Sequence, residues 1–209
     1  MRKLLAIFAA LATFAAPGGR AEAADAHAVT KYTVLDEAAT QLRADFNRSK
    51  GAVRLLFVVD PTCPGCLRGL DDMNKALLAN THDARLQTFV VHVPVLTPAP
   101  KEKDVPPAAE LLHNANVHHY WNPSGAFGRA LSEGANLKSE GKPVYAWDVW
   151  LVYGPDATWD GTNPPRPRQL MHQLRALQGS KEFPRLDSKA FAQQVHQLLT
   201  QLPGETLAR

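Results

Sequence analysis

Two cysteines three positions apart, Cys63 and Cys66, are the whole cysteine complement of this 209-residue chain. A thiol pair at this spacing can crosslink the chain, ligate a soft metal or exchange disulfides. The crosslink contributes little, because the loop-closure gain of a disulfide grows with loop size and the Cys63-Pro64-Gly65-Cys66 segment encloses almost no loop. Exported proteins that use cysteine for stability usually carry several pairs bridging distant segments. Exchange suits the surroundings better. Val53 to Val59 is an almost wholly apolar run, as expected of a strand buried on both faces, and Asp60-Pro61-Thr62 follows it as a turn. Pro64 then stands where a helix would begin, which puts Cys63 at the N-cap. Unpaired backbone N–H groups and the helix dipole at that position stabilise a thiolate and lower the cysteine pKa from about 8.5 toward neutrality. Cys63 is thereby the expected nucleophile, and Cys66, one turn further in and more buried, resolves the mixed disulfide.

The elements that position this pair are read from periodicity. Leu35, Ala38, Ala39, Leu42 and Phe46 recur near a 3.6 period and predict a helix over Asp36 to Asn47, with Asp36 as N-cap. Leu67, Leu70, Met73, Leu77 and Leu78 give an amphipathic helix from Cys66 to Asn80, with Arg68 among its solvated residues. Strands are expected at Leu86 to Val95, Val117 to Trp121 and Val144 to Tyr153. Five prolines between Pro94 and Pro107 form a connection that cannot be a helix interior or a central strand. Asn122-Pro123-Ser124-Gly125 reads as a turn, Ala126 to Glu133 as a short helix and Pro164 to Pro167 as a loop. Asp187 to Leu202 reads as a terminal amphipathic helix through Phe191, Val195, Leu198 and Leu199. Strands alternating with helices predict an α/β fold around a central mixed sheet.

The N-terminus predicts export. Met1-Arg2-Lys3 followed by an uncharged apolar run from Leu4 to Ala16 is a signal-peptide pattern, too short to span a bilayer before Pro17-Gly18-Gly19-Arg20. Ala21-Glu22-Ala23 is the favoured cleavage site and Ala24-Asp25-Ala26 the other candidate. The expectation is a cleaved signal peptide over 1–23, one domain over 24–209, and a periplasmic or extracellular location without a membrane span. Removal of 1–23 takes a formal charge of +3 down to +1. The remaining Lys and Arg residues are scattered among acids, which argues against nucleic acid as a partner.

Leu55-Leu56-Phe57-Val58-Val59-Asp60-Pro61-Thr62-Cys63-Pro64-Gly65-Cys66 resembles the strand, motif and helix of the thioredoxin superfamily. Val117 to Ala126 is similar to the inserted strand, turn and helix of its extracytoplasmic TlpA-like and peroxiredoxin-like branch. Leu151-Val152-Tyr153-Gly154-Pro155-Asp156-Ala157 resembles the next strand and aspartate turn of that branch. The resemblance runs from about Val53 to Trp159. It implies a thioredoxin-like fold with an inserted strand-helix unit and redox roles for Cys63 and Cys66. No bound organic cofactor is needed. The implied partners are protein thiols or disulfides and a further redox partner that resets the pair. Members of the superfamily place a cis-proline at the start of the strand facing the cysteines. Counting back from Pro155-Asp156 puts Asp148 near that position, and the nearest proline, Pro143, falls about five residues early. A cis bond before a non-proline residue costs about 2.5 to 4 kcal/mol, so the expectation is a trans peptide at Trp147-Asp148 or a shifted alignment in which Pro143 takes that place.

Auxiliary candidates surround this core. An Asp148 facing the thiols would oppose thiolate formation at Cys63 or relay a proton to Cys66. Asp60 is either a buried proton relay or a turn residue. Trp147 and Trp150 either shape a substrate groove or pack as core. The alternative function is extracytoplasmic copper(I) or zinc binding by the same cysteines with a histidine, His118 or His119 first and His92 or His172 after them. Adjacent strand residues point to opposite faces, so at most one of His118 and His119 can reach a shared site.

Overall fold

The computed structural model describes residues 31–202; the signal sequence and both cleavage candidates expected near the N-terminus lie outside the described residues. Along the chain run β1 (Tyr32–Val34), α1 (Thr40–Arg48), β2 (Val53–Val59), α2 (Pro64–Ala76), β3 (Leu86–His92), α3 (Val105–Ala109), β4 (Val117–Trp121), α4 (Ala126–Gly134), the short β5 (Lys138–Ser139) and β6 (Lys142–Pro143), β7 (Val149–Tyr153), β8 (Gln169–His172) and α5 (Ser188–Gln201). Six strands form one sheet in the order β1-β4-β3-β2-β7-β8. The first four are parallel, β7 pairs antiparallel with β2, and β8 pairs antiparallel with β7 and so runs in the direction of the first four. This is the central mixed sheet flanked by helices that the alternation predicts, with β4 and α4 following one another where a strand, turn and short helix are expected.

Period-two alternation along β2 divides the core. Leu56 and Val58 face a cluster holding Leu42 and Phe46 of α1 and Phe127 and Leu131 of α4. Val53, Leu55, Phe57 and Val59 face the opposite cluster, with Cys66, Leu70 and Met73 of α2 and Phe191, Val195 and Leu199 of α5. Every residue of β2 is buried, as its apolar run predicts. No helix among the described residues is long and apolar enough to cross a membrane.

Several boundaries differ from expectation, each for a local reason. The helix expected from Asp36 begins at Thr40. The Asp36 carboxylate accepts the Thr40 N–H at 2.8 Å, and Ala39 adopts a left-handed φ of 50°, so the chain turns before it coils. The helix expected from Cys66 to Asn80 starts at Pro64 and stops at Ala76, because Leu77 leaves helical geometry before a 3-10 turn over Leu78–Asn80. The strand expected to reach Val95 ends at His92: Pro94 has no N–H, and the N–H groups of Val95 and Leu96 go to the Asp60 carboxylate at 2.9 and 2.8 Å. Within the proline-rich connection, α3 takes Pro106 and Pro107 into its first turn, where a missing N–H costs nothing. The strand expected over Val144 to Tyr153 keeps only its second half. Val144 N–H bonds Leu137 O and Ala146 N–H bonds Gly128 O, so this stretch spends its donors outside the sheet. The four-residue β8, which follows a proline-rich loop, is not foreseen from the sequence.

The histidines are part of the core's hydrogen bonding. His118 and His119 do point apart along β4. His119 is buried, donates Nε2–H to Leu112 O at 2.9 Å and so accepts at Nδ1 from His92 Nε2, 3.2 Å away. His118 stacks on Phe89 and reaches Gln87. His172 accepts from Leu174 N–H and donates to Phe183 O.

Candidate active site

The site lies where β2 ends. Cys63 is the N-cap of α2, with Pro64 at its first turn and extended backbone at φ −77° and ψ 115°. Its Sγ accepts the Cys66 N–H at 3.4 Å. Both sulfurs are free thiols, Cys66 fully buried and Cys63 9% exposed, so only Cys63 presents an edge to solvent.

The two thiols are electrostatically unlike. Cys63 is pulled down to about 6, chiefly by the hydrogen bond from the Cys66 side chain; the N–H groups of Cys66 and Gly65 add to this, and burial and the Asp148 charge oppose it. Cys66 is pushed up, first because its hydrogen is held by Cys63 and then by burial and by Asp148. At neutral pH the pair therefore shares one proton between unequal sites, with the thiolate on the accessible sulfur.

Sheet register explains the third member. The antiparallel pairing of β7 on β2 sets Val149 opposite Val58, which brings Asp148 to the end of β2 where the cysteine turn begins. Asp148 is 5% exposed, and its carboxylate and the two sulfurs all lie within 4.8 Å of one another. Its φ of 49° is left-handed, a conformation that aspartate tolerates better than most residues. The cis peptide among the described residues is Thr97-Pro98, so Trp147-Asp148 is trans, as expected for a non-proline residue here. Pro143 lies in β6, paired with Lys138, and does not take the place facing the cysteines. Burial pushes the Asp148 carboxyl up, against the hydrogen bond from Gln173.

Gln173 is a site residue that sequence reading misses. It follows β8, whose register sets His172 opposite Val149, and so falls beside Asp148. Its Nε2 donates to Asp148 Oδ1 at 2.9 Å and to Gly65 O at 3.3 Å, which ties the carboxylate to the cysteine turn. Gly69 is the second such residue, its only signal being a glycine inside an amphipathic helix. A Cβ there would lie 2.4 Å from Trp150 Cζ2 and 2.8 Å from Gln173 Nε2. We expect Gly69→Ala to cost about 1 to 3 kcal/mol through overpacking, read as a lower urea midpoint at unchanged slope. A midpoint equal to that of the parent protein would contradict this packing.

The other candidates separate. Trp150 is buried against Phe57, ring centroids 4.7 Å apart, and is core. Trp147 is half-buried and packs on both clusters from the residue preceding Asp148. Asp60 is buried, and its carboxylate accepts from Thr62 N–H and Oγ1 and from the N–H groups of Val95 and Leu96, an arrangement that folds the proline-bearing loop back toward Thr62. Arg68 is exposed on α2. For metal ligation, the group of donors brought together among the described residues is Cys63, Cys66 and Asp148, without a histidine. The copper(I) arrangement with a histidine ligand is thus corrected: β4 and β8 hold His119 and His172 in the core by hydrogen bonds of their own.

No family model matches the chain, and no curated protein matches it. Solved structures similar to it include a thiol-disulfide isomerase from Corynebacterium glutamicum, 18% identical over 74% of this chain and 86% of the other, with a TM-score of 0.46. A thioredoxin family thiol:disulfide interchange protein from Chlorobium tepidum is 11% identical over 73% and 83%, also at 0.46. A secreted Mycobacterium tuberculosis disulfide oxidoreductase is 12% identical over 72% and 85%, at 0.43. At these values the fold rests on the chain's own strand order and the site on its own geometry.

Proposed function

We propose that this protein is an exported thiol-disulfide oxidoreductase acting on protein partners through Cys63 and Cys66. The observation that carries the reading is the asymmetric placement of the pair: Cys63 caps α2 at the protein edge, its Sγ accepting the Cys66 N–H at 3.4 Å, with the fully buried Cys66 one turn behind it. In the reducing direction the Cys63 thiolate attacks a partner disulfide, forming the mixed disulfide and releasing one partner thiolate. Cys66 then loses its proton and attacks Cys63 Sγ; the intramolecular disulfide forms and the second partner thiolate leaves. The oxidising direction is the same sequence reversed. Export after cleavage of 1–23, a single domain over 24–209 and an external partner that resets the pair complete the reading, supported by the N-terminal sequence pattern and by the need to regenerate the starting oxidation state. A groove with Thr62, Leu96 and Pro98 in its wall and Lys101, Lys103 and Asp104 along it, starting at the residue before Cys63, offers a mixed apolar and charged rest for an extended polypeptide.

Asp148 serves the resolving step. Its carboxylate is within reach of the Cys66 thiol and accepts the proton as Cys66 attacks. Replacing it by asparagine removes both that acceptor and a negative charge that opposes the Cys63 thiolate. We expect Asp148→Asn to shift thiolate formation at Cys63 below about 6, read by thiolate absorbance against pH, and to slow resolution of a preformed mixed disulfide by about 100-fold. Unchanged resolution would remove Asp148 from the mechanism. The overall function is tested by mixing reduced protein with a disulfide-bonded protein at neutral pH and counting thiols on both. Stoichiometric transfer with a Cys63-Cys66 disulfide in the product supports the reading, and no transfer above the buffer rate rejects it.

A further inference from the structure

The turn that holds the two sulfurs also holds a buried carboxylate within reach of both. Asp148 is buried in a left-handed backbone conformation, and Gln173 fixes one of its oxygens from behind. Two thiolates and a carboxylate match the three-protein-ligand pattern of zinc sites that keep a fourth, open position. We propose that the reduced site binds one Zn2+ ion through Cys63 Sγ, Cys66 Sγ and a carboxylate oxygen of Asp148, with water as fourth ligand, and that a disulfide oxidant, which takes two electrons from the pair and leaves as two thiols, closes Cys63-Cys66 and expels the ion.

The three donor atoms lie within 4.8 Å of one another. Tetrahedral zinc with Zn–S bonds of about 2.3 Å sets two sulfurs about 3.8 Å apart, so the site reaches metal geometry by a contraction of at most about 1 Å. Gln173 donating to Asp148 Oδ1 is the outer-shell bond that orients a ligating carboxylate. Cys63 at the protein edge gives the ion its path in. The mixed donor set selects the metal: a hard oxygen beside two thiolates suits Zn2+, whereas copper(I) prefers soft ligands throughout. Binding replaces the Cys66 thiol proton by the metal and releases it to solvent. Because the S–S bond consumes both sulfur ligands, zinc and disulfide exclude each other. The ion would hold the reduced pair unreactive until a chelator or a competing ligand withdraws it. This inference uses the sulfurs of the proposed reaction without depending on that reaction.

The experiment is a titration of the purified, fully reduced protein with Zn2+ against a chromophoric chelator, repeated with Co2+ as a spectroscopic probe. The expected result is one Zn2+ per chain, a thiolate-to-cobalt charge-transfer band with tetrahedral ligand-field bands, and neither signal in the oxidised protein. Asp148→Asn should weaken Zn2+ by at least about 10-fold, since even a residue that only orients a ligand is worth about 10- to 100-fold. Equal Zn2+ affinity in Asp148→Asn, retention of the ion by the oxidised protein, or copper(I) binding with no Zn2+ binding would each overturn the proposal. If the variant fails to fold, the cobalt spectra of the reduced and oxidised parent protein decide alone: the thiolate band confined to the reduced form upholds the site, and its absence overturns it. Disulfide exchange measured on metal-free portions separates the two readings. Exchange without Zn2+ binding overturns the metal site only, and Zn2+ binding without exchange overturns the redox reading only.

Discussion

Cys63→Ser is expected to abolish disulfide exchange, by at least about a thousandfold, while leaving the fold in place. Serine has no thiolate to offer, and the buried Cys66 presents no surface to a partner. The fold survives because serine is itself a preferred N-cap residue, and its hydroxyl can accept the Cys66 N–H that the Cys63 sulfur now accepts. Cys66→Ser should behave in the opposite sense. Attack by Cys63 still proceeds, but resolution does not, so a mixed disulfide with the partner accumulates and is visible on a non-reducing gel or by intact mass. If Cys63→Ser keeps exchange and Cys66→Ser loses it, the roles are reversed and the N-cap argument is wrong.

The largest expected effect on stability lies at the other end of β2. Arg54 is fully buried in that strand with no carboxylate among the described residues bonded to its guanidinium. Its nitrogens donate to the carbonyls of Phe46 at 3.1 Å, Ala157 at 2.9 Å and Gly154 at 2.5 Å, and its plane lies 4.4 Å from the Phe46 ring centroid. One side chain thereby ties the end of α1 and the turn after β7 to the central strand. Arg54→Leu leaves three carbonyls without this donor, and three charge-assisted bonds at roughly 1.5 kcal/mol each give a loss of about 4.5 kcal/mol. Arg54→Lys should recover only part of it, because one ammonium cannot reproduce the planar fork. Urea denaturation checks both variants, and a loss below about 1 kcal/mol for Arg54→Leu would show that the guanidinium gains nothing net from its burial.

These two residues show what was legible in the sequence and what was not. The cysteine turn could be read because its determinants are local: an apolar strand, a proline at the first helical position and a cysteine at the cap follow one another along the chain. β2 and α5 could be read for the same reason, the strand from its almost unbroken apolar run and the helix from its 3.6 period. Arg54 was visible only as the charged residue in an apolar run, since its three acceptors lie 8, 100 and 103 positions away along the chain. Asp148 could be placed opposite the thiols by counting from a family turn, but its approach depends on the β2–β7 register. Gln173 depends on a further register, that of β8, a strand too short to announce itself. The histidine-metal alternative failed on information of the same kind, because only tertiary structure shows His92 and His119 bonded to each other within the sheet.

The central claim is that Cys63 and Cys66 form a working redox couple, and its most direct test is the reduction potential of the metal-free protein, equilibrated in thiol buffers and read by the mass of alkylated cysteines. The account predicts one two-electron transition, at a potential above the roughly −300 mV below which structural disulfides lie. Thiols that remain free at every poise, or a disulfide that no poise above that value can reduce, would contradict it.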